Sequence, residues 1–137
     1  MANLDGTTDT LPVGFQFGAY VIGEAGRLIG RVIQERGIGC RFGGDEYLAA
    51  LPGLDTTQAE AVAQRILETV RAHQFVKSGV ALKPGISIGV GAYPENAAGA
   101  VQLFEVADKE LYRAKQTGKN RVCRAFVDSD SGASPSG

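Results

Sequence analysis

Four consecutive residues, Gly43-Gly44-Asp45-Glu46, hold the densest set of chemically useful groups in this chain of 137 residues. Two adjacent carboxylates at a tight turn suit a hard divalent cation. Mg²⁺ is typically held by one or two carboxylates and completes its shell with water and substrate phosphates. The two glycines let the backbone take conformations closed to other residues and let phosphates come close. A bare polar hairpin tip satisfies the same four residues. A second group, Lys115 and Lys119, lies at i, i+4 across the end of an amphipathic segment, where cations complement the helix dipole. It is either a solvated basic turn or a pair of phosphate clamps facing the acidic hairpin. The other candidates are weaker. His73, the only histidine, reads as a surface or helix-end residue. Cys40 and Cys123 lack CxxC spacing and a neighbouring histidine cluster, so they read as buried or half-buried free thiols rather than zinc ligands.

Composition narrows the function classes. Lys and Arg number 14 against 15 Asp and Glu, a net charge of −1 that argues against a nucleic-acid binder, which needs a basic face. A hydrophobic content of 44% is ample for one core in one domain. No apolar run approaches the roughly 20 residues that cross a bilayer, and no basic-then-apolar leader opens the chain. The expectation is a cytoplasmic domain without membrane contact. Glycine, at 19 residues, is about twice its ordinary share of ~7% and announces many turns or close backbone approaches.

Periodicity supplies the elements that must position these groups. Met1–Leu4 reads as the end of a strand, Asp5-Gly6 as a turn, and Thr7–Gln16 as loop. From Tyr20, apolar residues at three-to-four spacing predict a helix to Arg36-Gly37, with Gly26 and Gly30 forming a close-packing groove. Ile38–Phe42 and Tyr47–Leu51 flank the acidic tetrapeptide as a β-hairpin. Thr57 with Glu60 reads as a capping box opening a second helix to about Gln74. Phe75–Leu82 and Ile86–Tyr93 read as strands separated by Lys83-Pro84-Gly85. A third helix, about Ala98 to Gln116, buries Val101, Phe104, Ala107, Asp108, Leu111 and Ala114, with Asp108 a buried hydrogen-bonding acid. Asn120 caps the turn after it, and Arg121–Phe126 is a last strand. The order implies an α+β sandwich with a palm-like βαββαβ core and a mostly antiparallel sheet carrying helices. Residues 1–127 form the domain, its first strand truncated. Residues 128–137 form a solvated tail too polar to order itself.

Three ordered blocks resemble the GGDEF domains of bacterial cyclic-di-GMP signalling: Arg41 to Tyr47 around the tetrapeptide, Ile86-Ser87-Ile88-Gly89-Val90, and Ala107 to Lys115, followed by Gly118-Lys119-Asn120. The resemblance implies a nucleotidyl-cyclase core and a diguanylate cyclase reaction. Two GTP-loaded domains would face each other as a homodimer, each 3′-hydroxyl attacking the partner's α-phosphate to give cyclic di-GMP and pyrophosphate. Asp45 matches the acid that binds Mg²⁺ or Mn²⁺ and helps activate the hydroxyl, and Glu46 the second acid, both catalytic and metal-binding. Gly43 and Gly44 match the turn that admits the nucleotide, and Lys115 and Lys119 the positions that grip the terminal phosphates. Tyr47 stands for the family's Phe, its ring half-buried and its hydroxyl solvated.

The N-terminal third departs from the family pattern. The usual Asp-x-Asp aligns with Asn3-Leu4-Asp5, which places a neutral amide at a metal-ligand position beside the backbone of Leu4. Thr7–Leu11 lacks the Phe-Lys-x-x-Asn segment with its phosphate lysine and guanine-reading asparagine. The Gly-His-x-x-Gly-Asp block survives either as Ala19–Glu24 or in a register that puts Gly26 opposite the base-reading acid. The link to the hairpin is short and carries no Arg-x-x-Asp, so the product-inhibition site is absent. The expectation is a degenerate domain with weak or no cyclase activity, acting as a nucleotide-binding regulatory module beside an upstream sensory domain. The alternative is an active diguanylate cyclase, or a cyclic-dinucleotide synthase of relaxed base selectivity, because Asp45, Glu46 and both lysines are intact.

Overall fold

The computed structural model describes residues 1–5 and 15–126, so the predicted 128–137 tail and most of the Thr7–Gln16 loop lie outside it. Its elements are β1 (Ala2–Leu4), α1 (Phe15–Ile33), a 3-10 turn (Gln34–Arg36), β2 (Ile38–Arg41), β3 (Glu46–Ala50), α2 (Thr56–Ala72), β4 (Phe75–Lys77), β5 (Val80–Leu82), β6 (Ile86–Val90), α3 (Ala100–Gln116) and β7 (Val122–Arg124). Five strands form one sheet in the order β2-β3-β1-β6-β7. The pairs β2–β3, β3–β1 and β1–β6 are antiparallel, and β6–β7 is parallel across α3. The predicted palm-like architecture is therefore present, with β1 as its central strand.

Alternation along the strands divides the core into two layers. Ala2, Leu4, Tyr47, Ile86, Ile88 and Val90 pack with Val21, Ala25, Ile66 and Val70 of α1 and α2. Met1 sits on the opposite face with Ala107 and Leu111 of α3. Gly89 makes that second layer possible. A Cβ there would lie 2.2 Å from the Ala107 carbonyl oxygen and 2.2 Å from the Leu111 nitrogen, so α3 rests directly on the strand backbone.

Several local expectations are corrected. Helix α1 begins at Phe15 rather than Tyr20, and of Gly26 and Gly30 only Gly26 is packed against a neighbour. The capping box of α2 is built by Asp55 and Gln58, not Thr57 and Glu60. The Asp55 carboxylate accepts from the Gln58 N–H, and the Gln58 side chain accepts from the Asp55 N–H. A capping box needs an extended N-cap residue, and Asp55 at ψ 179° has that backbone. Phe75–Leu82 is a tight hairpin, β4–β5, turned through Ser78 and Gly79 at φ 52° and 79°. It stands as a separate two-stranded sheet. On α3, Val101 and Asp108 are exposed, and the buried acid is Glu110, bonded to Arg113 at 2.6 Å. Cys40 is exposed on the edge strand and Cys123 half-buried. His73 is the C-cap of α2, as a helix-end residue should be, and pairs with Glu24 at 3.0 Å.

Candidate active site

The hairpin holds its acidic tip by backbone and side-chain bonds together. Arg41 pairs with Tyr47 in the ladder, and the Phe42 N–H donates to the Glu46 carbonyl at 2.8 Å, leaving residues 43–45 as the loop. Arg41 Nε donates to the carbonyls of Gly43 and Gly44 at 3.1 and 3.0 Å, which fixes their orientation. A Cβ on Gly43 would lie 3.0 Å from Glu46 Oε1, so this glycine makes room for the neighbouring carboxylate. Gly44 faces open space, with nothing within 4 Å of the position its Cβ would take.

Asn3 and Leu4 meet this tip. Asn3 is buried, at 7% exposure, and lies opposite Glu46 on one side and Ser87 on the other. Its amide Nδ2 donates to the Asp45 carbonyl oxygen at 3.0 Å and to Asp45 Oδ1 at 2.8 Å. Both partners are acceptors, so the amide must present its nitrogen there. The Leu4 N–H donates to the Asp45 carbonyl at 3.1 Å. Two carboxylates remain a chemically suitable donor set for a hard divalent cation completed by phosphates. A cation set against Asp45 Oδ1, however, competes with the Asn3 amide for that oxygen. Asp45 and Glu46 would be the residues to hold such an ion, and the Asn3 amide already donates to one Asp45 oxygen. Among the described residues no group of three or more His, Cys, Asp or Glu side chains gathers to hold a metal.

The basic pair lies at the same end of the sheet, where β1 ends, β3, β6 and β7 begin, and α3 terminates. Lys115 is half-buried and Lys119 exposed, and neither makes an ion pair with a described residue. Asn120 makes no capping hydrogen bond with its side chain among the described residues. It sits in left-handed backbone at φ 49°, and its N–H donates to Asp5 Oδ2 at 3.0 Å. Ser87, fully buried, donates its hydroxyl to Asp5 Oδ1 at 2.7 Å. Both residues stand in segments that match the family pattern, but their spacing in sequence gives no sign that they meet each other.

The two positions that align with the base-reading acid differ: one side chain is ion-paired and the other is absent. Glu24 is committed to Arg27, at 2.9 and 3.0 Å, and to His73. The Arg27 hydrogen bond holds its carboxyl below the usual carboxylate range. Gly26 offers no side chain, and the Tyr47 ring, 3.3 Å from where its Cβ would be, fills the space. Tyr47 is itself a correction. It is buried, at 6% exposure, and its hydroxyl donates to the Ile22 carbonyl of α1 at 2.5 Å instead of meeting solvent. Burial raises this phenol to about 12 from 10. Its stabilising contribution is therefore complete below pH 10 and is lost as pH rises towards 12. Tyr47→Phe should cost about 1 kcal/mol, the ordinary net worth of such a bond, and should remove the steepest part of the alkaline loss. Urea unfolding of both proteins between pH 8 and 11.5 measures the two effects. Parallel curves for the two would refute the assignment.

The family model described as "Diguanylate cyclase, GGDEF domain" matches residues 7–121. The chain is 34% identical over 109 residues to diguanylate cyclase A of Treponema denticola, covering 80% of this chain and 29% of that protein. The GGDEF domain of DgcB from Caulobacter crescentus, solved in complex with c-di-GMP, superposes with a TM-score of 0.79 at 25% identity, over 90% of this chain and 74% of that one. A GGDEF domain from Pseudomonas aeruginosa reaches a TM-score of 0.86 at 24% identity, over 92% and 80%, and attests the fold alone.

Proposed function

Because the chain belongs to the GGDEF family of diguanylate cyclase domains in c-di-GMP signalling, we propose that it is a nucleotide-binding regulatory domain with weak or no cyclase activity of its own. The observation that carries this reading is the Asn3 amide bonded to Asp45, a neutral donor at the position where the family supplies a metal-binding acid. The commitment of Glu24 and the blank at Gly26 add to it, since an unread guanine is poorly distinguished from adenine. GTP with Mg²⁺ or Mn²⁺ is the ligand, held by Asp45, Glu46, Lys115 and Lys119 with the Gly43-Gly44 turn admitting the phosphates. The setting is the cytoplasm, where GTP is available. The chain spans 29% of its Treponema relative, which leaves room for an upstream sensory domain in such proteins.

The intact Asp45-Glu46 pair and both lysines favour a second reading, an active cyclase working as a homodimer, with relaxed base selectivity.

Incubation with GTP, ATP or both, in Mg²⁺ or Mn²⁺, followed by chromatography for cyclic dinucleotides, separates the two. The regulatory reading expects nucleotide to raise the stability of the fold by about 2.7 kcal/mol at 100 times its Kd, with little or no product. Abundant cyclic di-GMP that vanishes in Asp45→Ala would establish the cyclase instead. No thermal shift with any nucleotide would remove both.

A further inference from the structure

We infer that Asp5 is a positioning residue: its carboxylate fixes the turn that carries Lys119 against the same strand end at which Asn3 fixes Asp45. The inference rests on the nucleotide reading above for its consequence, but on geometry for its substance. Gly118, Lys119 and Asn120 follow one another at φ 128°, 62° and 49°. Left-handed backbone at two successive non-glycine residues persists only where its surroundings over-determine it. Here every backbone polar group of the two is held. The Lys119 N–H donates to the Ala114 carbonyl at 2.9 Å, and Arg121 Nε donates to the Lys119 carbonyl at 3.0 Å. Arg71 donates to the Asn120 carbonyl at 3.3 Å, and the Asn120 N–H donates to Asp5 Oδ2 at 3.0 Å and, at longer range, to Ser87 Oγ at 3.3 Å.

Four of these five partners lie on α2, on α3, on β6 or in the turn itself. Asp5 alone belongs to the strand end that also touches the acidic hairpin. It is braced there, because its own N–H donates to the Gly85 carbonyl at 3.0 Å and its Oδ1 accepts from Ser87. Gly85 is fitted to the same junction, since a Cβ would lie 2.9 Å from Asp5 Oδ2 and 3.1 Å from Asn120 Cβ. The segment Asn3-Leu4-Asp5 thus ties both arms of the site: one amide donates to the carboxylate arm, and one carboxylate accepts from the arm bearing the amine. Lys119 is placed through its backbone, so its ammonium stays available for an anionic ligand.

Asp5→Asn keeps an acceptor for Ser87 but turns an N–H₂ towards the Asn120 N–H, donor against donor. Two measurements test the inference on the folded chain, after thermal melts of every variant. Hydrogen exchange should show the Asn120 amide losing at least tenfold protection in Asp5→Asn while the amides of β6 keep theirs. Titration with GTP and Mg²⁺ should show affinity about tenfold weaker in Asp5→Asn and in Lys119→Ala, with the double variant no worse than either, and guanosine binding unmoved. Equal further loss in the Lys119→Ala background would make Asp5 a general stabiliser and overturn the inference. So would unchanged protection at Asn120. Should Asp5→Asn fail to fold, Gly85→Ala, which crowds the same junction, is judged by the same two results. Should the parent chain bind no nucleotide, the functional reading falls, and exchange at Asn120 alone upholds or overturns the clamp.

Discussion

Asn3→Asp should increase metal-dependent turnover of GTP by roughly 10²–10³-fold while making the metal-free protein less stable. The gain follows from electrostatics. Metal-ion stabilisation of phosphoryl chemistry is worth several kcal/mol. One restored anionic ligand, at about 3–4 kcal/mol, corresponds to that factor at about 1.4 kcal/mol per decade. The loss follows from the hydrogen bonds. Asn3 donates to the carbonyl and to the carboxylate of Asp45, and an ionised aspartate donates to neither. Two carboxylates at a position only 7% exposed repel, and one of them is driven to take up a proton. In chelator the variant should melt below the parent. In millimolar Mn²⁺ or Mg²⁺ it should recover and pass it, because the cation replaces the amide between the two side chains. A variant that stays inert in saturating metal, with no metal-dependent shift in melting, would mean that something other than Asn3 silences the site.

Gly89→Ala should be the most damaging single substitution considered, abolishing the cooperative fold at 25 °C or leaving only a small fraction of its stability. The methyl group would sit 2.2 Å from the Ala107 carbonyl oxygen, 2.2 Å from the Leu111 nitrogen and 2.8 Å from the Glu110 carbonyl carbon. These are backbone atoms inside α3, so no rotamer change relieves the clash. The helix must lift from β6. Ordinary overpacking of a core costs about 1–3 kcal/mol by moving side chains. Displacing a whole helix draws on a total stability of only about 5–15 kcal/mol. Lys115 rides on that helix and Lys119 on the turn behind it, so the basic arm would be lost with it. Urea unfolding and near-ultraviolet circular dichroism test this. A melting temperature within a few degrees of the parent would show that the contact between α3 and β6 is not as close as described.

Much of the architecture was readable because local chemistry and tertiary need agree. The three helices announce themselves through spacing that matches the faces they bury, as with Val62, Ile66 and Val70 on α2. The hairpin was legible for a related reason, since a polar Gly-Gly-Asp-Glu between two apolar runs has few other ways to lie. The failures occur where two signals of similar strength competed. Thr57 and Asp55 both begin capping boxes on paper, and only the chain's entry angle, extended at Asp55, chooses between them. Val101 lies in register with the apolar stripe of α3, yet it precedes the part of the helix that meets the sheet and stays 76% exposed. Tyr47 looked like a residue that would keep its hydroxyl wet, because nothing in its neighbourhood in sequence names the α1 carbonyl it reaches.

The amino-acid order alone determined the element types, the acidic tip, the basic pair and the amide where an acid was expected, since each depends on residues close together along the chain. Only the tertiary structure decided what those residues do to one another. Asn3 and Asp45 are 42 positions apart, and Asp5 and Asn120 are 115 apart. A hydrogen bond forms only within about 3 Å and in the right direction. Nothing short of the folded sheet, with β1 laid between β3 and β6, could show that one three-residue strand end grips both arms of the site.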